Sequence, residues 1–494
     1  MKYISTRNKD KHVSSKEAIV KGISSDGGLF VPERIPKIEN LQTLAHMNYQ
    51  ELAYTVLEKF FTDIDEKTLK YLIDKAYDEK FEKKEIAPLV EVGDLYFLEL
   101  FHGPTYAFKD MALSILPHLL NESIKSEKEN KEIVILTATS GDTGKAALEN
   151  FASVSGIKII VFFPEEGVSS IQKKQMLTQE GDNTFVVSIN GDFDDAQTGV
   201  KEIMKDSMLI DLLDRKNYRL SSANSINIGR LVPQIIYYFK SYLDLLRENK
   251  IKKGEKINFV VPTGNFGNIL AAYYAKEMGL PINKLICASN ENNILTDFIN
   301  TGIYDKKRKL KLTSSPSMDI LVSSNLERLL FYLNHENDEE IKDNMRDLEE
   351  KGEYKVENIS LEDFVGYYTT EKETEISIKE VFEKENYLMD PHTAVGHNAY
   401  KKYKSETKDK SKTVIVSTAS PFKFGAKVAD SIGIDIKGKD DFTIIKELHQ
   451  KTKLEIPKNI VKLEEKKIIH KNNCNKEDMK MIVLKLLKVD DIND

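Results

Sequence analysis

From residue 95 onward, apolar and polar positions follow one rhythm. Short runs of β-branched and apolar residues, most of them ending in a polar or glycine-bearing turn, are followed by helical spacing; the runs are 96–100, 133–136, 157–163, 184–188, 257–261, 284–288 and 413–417. This alternation predicts an α/β fold with a parallel sheet and covering helices. Ligands of such sheets bind beyond the carboxyl ends of the strands, so the turns after the runs are where chemistry is expected. The first 95 residues read differently. Helical patterns at 49–57 and 68–73, with turns built on Asp and Gly such as Ser25-Asp26-Gly27-Gly28, predict a separate N-terminal α+β unit. Residues 334–386 are highly charged with helical spacing, which predicts a solvated insertion. The C-terminal stretch is lysine-rich, with an apolar periodic segment at 479–487, and no internal repeat is evident.

A chain of 494 residues exceeds the size at which one core stops growing, about 250–300 residues. The expected divisions are 1–95, 96–245 and 246–494. Lys+Arg 72 against Asp+Glu 79 gives a net charge of -7, which argues against nucleic acid or an anionic membrane as the main partner. No run approaches the ~20 apolar residues of a membrane span. The two cysteines, Cys287 and Cys474, make neither a disulfide framework nor a thiolate metal site, and a cytoplasmic location is the expectation.

Four turns and one lysine carry the candidate chemistry. Lys109 lies between Tyr106, Phe108 and an apolar helical start, where desolvation would free its amine for attack on a carbonyl; the alternative is a lysine whose head reaches water. After the run at 257–261, Gly264-Asn265-Phe266-Gly267-Asn268 opens a helix and aims free N–H groups at one point, as a phosphate cradle does. Thr139-Ser140-Gly141-Asp142-Thr143-Gly144-Lys145 also follows a strand, but Thr139 and Ala146 occupy positions where a Walker loop needs Gly and Ser or Thr. What remains is a hydroxyl-rich nest suited to a carboxylate or another small anion or, alternatively, to helix capping. Asn224, Ser225 and Arg230 form a third turn, suited to a second anion or, alternatively, to helix capping and a surface ion pair. Thr418 ends the run at 413–417 with a neutral hydroxyl. His392 and His397 are read as packing residues, because neither has a partner at ligand or triad spacing.

One desolvated lysine, a phosphate cradle, a carboxylate nest and a neutral hydroxyl together describe a pyridoxal 5'-phosphate site. The sequence here resembles the threonine synthases, of fold type II (tryptophan synthase beta-like), in its larger fungal and bacterial branch. The motifs that carry the resemblance run from Lys21-Gly22-Ile23-Ser24-Ser25-Asp26-Gly27-Gly28-Leu29 through Phe108-Lys109-Asp110, Ser140-Gly141-Asp142-Thr143-Gly144, Ser222-Ala223-Asn224-Ser225-Ile226-Asn227 and Gly264-Asn265-Phe266-Gly267 to Asp390-Pro391-His392-Thr393-Ala394. The resemblance implies an N-terminal domain and two α/β domains flanking a cofactor cleft. It implies that Lys109 is the Schiff-base lysine, that Gly264, Asn265, Phe266, Gly267 and Asn268 hold the cofactor phosphate, and that Thr418 faces the ring nitrogen. The implied reaction turns O-phospho-L-homoserine and water into L-threonine and phosphate. On that basis the substrate carboxylate is assigned to Thr139, Ser140, Asp142 and Thr143, and its phosphate to Asn224, Ser225 and Arg230. A monomer or small homo-oligomer is expected. The rival readings are a phospho-lyase giving 2-oxobutyrate from phosphothreonine-type substrates, a binding protein that has lost catalysis, and a nucleotide-binding module.

Overall fold

The computed structural model describes residues 1–126, 131–139, 141–165, 168–357 and 359–489. Two parallel sheets organise it. The larger has six strands in the order Phe364–Tyr368, Ile282–Ser289, Ile257–Pro262, Thr413–Ser417, Leu95–Glu99 and Leu89–Val92, all parallel except the last pair. The smaller has five, Asn472–Cys474, Thr184–Ile189, Ile157–Pro164, Glu132–Ala138 and Tyr218–Ser221, all parallel. The central strands Ile257–Pro262 and Thr413–Ser417 are buried at every position. Burial on both faces is why their sequences are continuously apolar rather than alternating.

All seven runs predicted from hydrophobic pattern are strands. The sheets nevertheless cut across the expected divisions of the chain. Leu95–Glu99 pairs with Thr413–Ser417, and Asn472–Cys474 returns to pair with Thr184–Ile189. Hydrogen-bond pairing between segments some 300 residues apart leaves no local trace in sequence. The charged segment at 334–386 also does more than decorate the surface. It holds the helices Asp338–Glu350 and Glu371–Glu385, but between them Phe364–Tyr368 adds an edge strand to the larger sheet. At the C-terminus, Cys474, Met479, Val483 and Leu484 pack on Val134, Leu136 and Ile160 of the smaller sheet.

The N-terminal unit is a three-stranded antiparallel sheet with Tyr3–Ser5 at its centre, followed by helices including Tyr49–Phe60 and Glu66–Ala76. Asn48 and Glu51 form a reciprocal cap on the first of these, and Asp65 caps the second. Buried Leu52, Ala53, Val56, Leu57 and Phe60 recur at the three- and four-residue spacing of one helix face. The unit is tied to the rest of the molecule by Arg328, whose fully buried guanidinium donates to Phe30 O at 2.9 Å, to Ile226 O at 2.5 Å and to Asn325.

Replacing Arg328 with Met would leave the carbonyls of Phe30 and Ile226 buried without donors, which costs about 2–4 kcal/mol in total. The expected outcome is a lower urea midpoint for loss of helical circular dichroism than in the parent protein.

Candidate active site

The turn that carries Lys109 is held by backbone hydrogen bonds. Leu100 N donates to Ser417 O at 3.0 Å, Phe108 N to Thr418 O at 2.8 Å, and Ser420 N to Tyr106 O at 3.0 Å, with an antiparallel bridge between Ala107 and Ala419. Two chain segments leaving neighbouring strands of the larger sheet are thereby laced together beyond its carboxyl edge. Tyr106 takes a left-handed conformation, φ 61°, to make the turn. Asp110 braces it from below, accepting from the N–H and hydroxyl of Thr105, each at 2.8 Å.

The Lys109 side chain is buried, with its Nζ 5.4 Å from the centre of the Phe108 ring. Nζ donates to Ser317 Oγ at 3.0 Å and lies 3.5 Å from Asp142 Oδ2. Burial pushes the amine down to about 8 against the pull of Asp142, and the nearby Arg230 and Lys423 charges push the same way as burial. For Asp142, burial alone would raise the carboxyl; Lys423 and Lys109 reverse this and hold it well below the usual carboxylate range. Asp142 also accepts from Gln172 Nε2 at 2.7 Å and from Ser317 Oγ at 3.3 Å.

The glycine turn lies across the same cleft. A methyl group built on Gly264 would come 2.4 Å from Ser317 O, so only glycine lets the loop that carries Ser317 cross here. Phe266 is left-handed, φ 61°, at the head of the helix Gly267–Glu277. Among the described residues, the N–H groups of Gly264, Asn265 and Phe266 have no acceptor. Asn268 is buried; its Oδ1 accepts from Tyr237 and Tyr238, both at 2.6 Å, while its Nδ2 has no partner among the described residues. Thr418 is buried one residue past the strand Thr413–Ser417, with its backbone bonded to Phe108.

The third turn meets this one. A Cβ on Gly267 would lie 3.9 Å from Ser225 Cβ. The capping role considered for Asn224 and Ser225 belongs to Asn227, whose side chain accepts from Gly229 N. Arg230 is buried, not paired at the surface: its Nη1 donates to Ala223 O at 2.8 Å, and among the described residues it makes no ion pair. Burial works against its charge, and that charge is felt at Lys109. In the hydroxyl-rich turn, Thr139 Oγ1 accepts from Gly141 N and Gly144 N, both at 2.9 Å, so this hydroxyl shapes the turn and keeps a single hydrogen to donate. Thr143 is partly exposed in the first turn of the helix Asp142–Phe151. Ser140 lies outside the described residues.

Four residues at the site were not found from sequence. Lys423 pairs with Asp142 Oδ1 at 2.7 Å; Ser317 and Gln172 have been placed above. His392, read from sequence as a packing residue, bonds through Nδ1 to buried Asp390 at 2.6 Å and accepts from Ser317 N at Nε2, 3.3 Å, which fixes the Nδ1–H tautomer. Its partner sits only two residues away, at a spacing outside the triad and ligand patterns. For Lys423 a signal existed, the aromatic flanking of Phe422-Lys423-Phe424. A cavity of about 240 Å³ opens at Lys423, lined also by Ser169, Gln172, Thr313, Ser314 and Lys427.

Comparison with known proteins agrees with this geometry. Family models match as "Threonine synthase N terminus" over residues 2–77, "Pyridoxal-phosphate dependent enzyme" over 82–419 and "Threonine synthase, C-terminal" over 393–484. The threonine synthase of Saccharomyces cerevisiae is 37% identical over 90% of this chain and 91% of its own length. The chain belongs to the threonine synthase family. A crystal structure of PLP-bound threonine synthase from Brucella melitensis superposes with a TM-score of 0.87 at 33% identity, covering 99% of this chain and 100% of that one. The family fold is therefore the fold-type-II arrangement expected from sequence. A protein named threonine synthase-like 1 from Macaca fascicularis is 41% identical over 87% of this chain, but the match spans 61% of that relative's length.

The residues present fit the family's cofactor. A glycine turn with unclaimed N–H groups, a helix N-terminus and the unpartnered Nδ2 of Asn268 suit a phosphate, and a buried amine lies across the cleft from them.

An amine lowered from 10.5 to about 8 is protonated below that pH and nucleophilic above it. In the full chain freed of cofactor, acylation of Lys109 by a trace reagent is therefore expected to rise with a midpoint near pH 8, whereas exposed lysines titrate about two units higher. Peptide mass spectrometry across a pH series reads both.

Proposed function

We propose that this protein is a threonine synthase, converting O-phospho-L-homoserine and water into L-threonine and phosphate with pyridoxal 5'-phosphate held on Lys109. The observation that carries the reading is the pairing of a buried, easily deprotonated lysine with a buried arginine that has no carboxylate partner among the described residues. Such an arginine is costly unless an anion joins it. A substrate phosphate is the anion this reaction would bring.

When bound, the cofactor supplies an electron sink for charge developing at the substrate carbons next to the amine. The residues of the chain do the rest. Gly264, Asn265, Phe266, Gly267 and Asn268 hold the cofactor phosphate through N–H groups and the Asn268 amide, and Thr418 offers a neutral hydroxyl to the ring nitrogen. Lys109 takes the proton from Cα and then one from Cβ, and its lowered basicity lets it be the free amine when each is due. Arg230, with Asn224 and Ser225, steadies the γ-phosphate as it leaves, and water adds at Cβ. Thr143 and the turn shaped by Thr139 bind the substrate carboxylate. Asp142, neutralised by its lysines, orients Lys109 rather than contacting an anion. Ser317 links the Lys109 amine to that carboxylate.

The rival on the same scaffold is a phospho-lyase that gives 2-oxobutyrate from phosphothreonine-type substrates, and its products separate the two. The purified protein incubated with O-phospho-L-homoserine is expected to give threonine, and with phosphothreonine no 2-oxobutyrate. The opposite pair of products would establish the lyase. Borohydride treatment of the loaded protein, followed by peptide mapping, is expected to place the cofactor on Lys109, and Lys109→Ala to lower kcat by about 10^3-fold or more. Arg230→Ala is expected to raise KM for the phosphorylated substrate by about 50-fold while leaving the cofactor's visible absorbance intact. An unchanged KM would take Arg230 out of the substrate site.

A further inference from the structure

Ser420-Pro421-Phe422-Lys423-Phe424 places a second lysine between aromatic rings. The 3-10 turn Pro421–Phe424 follows directly on Ser420, whose N–H is bonded to Tyr106 O, so this lysine is delivered alongside the turn that carries Lys109. The Lys423 side chain is 0% exposed. Its Nζ donates to Thr105 O at 2.9 Å and lies 2.7 Å from Asp142 Oδ1. The other oxygen of the same carboxylate is the one 3.5 Å from Lys109 and 3.3 Å from Ser317 Oγ.

A buried ion pair is poor evidence of a stabilising role, since apolar side chains of similar volume often do as well. The arrangement suits a different task. A carboxylate facing Lys109 alone would hold a proton on that amine. Here its other oxygen, Oδ1, is held by a second ammonium, which offsets the carboxylate's field while keeping it oriented. The groups that face Lys109 are Asp142 from the helix Asp142–Phe151, Arg230 from Ile228–Leu231, Lys423 from Pro421–Phe424, and the Ser317 hydroxyl; His392 reaches the set through the Ser317 N–H that it accepts. The set holds one acid against two cations besides the amine itself.

We propose that Lys423 is a positioning residue for Lys109: by occupying Oδ1 of Asp142 and the carbonyl of Thr105, it fixes the carboxylate beside the reactive amine and keeps that amine from being locked in its charged form. The inference rests on Lys109 as the reactive amine. Burial and both neighbouring cations push that amine the same way, and Asp142 opposes them.

The test is the pH midpoint for trace acylation of Lys109 in the full chain freed of cofactor, which reads the amine whether or not borohydride places the cofactor there. Lys423→Met is expected to raise the midpoint by about one unit, and Lys423→Arg, which keeps the charge, to leave it near the parent value. Lys427→Met serves as the control. It lines the same cavity but pairs with Glu371 and Glu375, and its midpoint should match the parent. A folded Lys423→Met variant with an unshifted midpoint would overturn the proposal. Where Lys423→Met fails to fold, Lys423→Gln, which can still donate to Asp142 and to the Thr105 carbonyl but carries no charge, takes its place. An unshifted midpoint in that folded variant also overturns the proposal.

Discussion

The site depends on one constraint: a primary amine must be sealed from water and still spend enough of its time without a proton. Burial alone favours the neutral amine, yet a lysine surrounded only by apolar groups would not be held in a reacting geometry. Asp142 supplies the orientation and works against the neutral form. The cations Lys423 and Arg230 work in its favour. At about 8, the amine is protonated for most of its time at neutral pH but is free far more often than an ordinary lysine, so it can both accept and return a proton.

That balance requires two parts of the chain far apart in sequence to meet with little freedom. The lacing of residues 106–108 onto residues 418–420 achieves this through backbone hydrogen bonds, which side-chain rotamers cannot loosen. It follows from sheet order. Leu95–Glu99 and Thr413–Ser417 are adjacent parallel strands, so both chains leave the same edge at the same place. The loop through Ser317 then spans the gap, with its hydroxyl on Lys109, its N–H on His392 and its carbonyl against Gly264. One residue thus bears on both the amine and the glycine turn.

Much of this was legible in sequence because it is local. Each strand-to-turn motif carries its own signal, and the turns at 139–144, 224–230 and 264–268 could be read without knowing what lay opposite. What escaped was non-local. The crossing of Leu95–Glu99 and Asn472–Cys474 between sheets depends on pairing with distant strands. Ser317 sits in a loop with neither a glycine motif nor periodicity, and His392 was passed over because its acid is two residues away, within a helix cap. Lys423 was readable in principle, since it repeats the aromatic flanking that marked Lys109. It lacks the apolar helical start that follows Lys109.

Charge balance in the cleft explains why the two phosphates of the proposed reaction need different hosts. Lys423 and Asp142 compensate each other, while Arg230 carries a full charge with no ion-pair partner among the described residues. A permanently bound phosphate placed there would exhaust it. The glycine turn instead offers N–H dipoles and a helix N-terminus, which hold a phosphate without any nearby full positive charge that would further perturb the amine. In the proposed reaction Arg230 is thereby left for an anion that arrives and departs, and its burial keeps its attraction from being screened by solvent. An arrangement with these hosts exchanged would bind the resident group too tightly to a charge the leaving group needs.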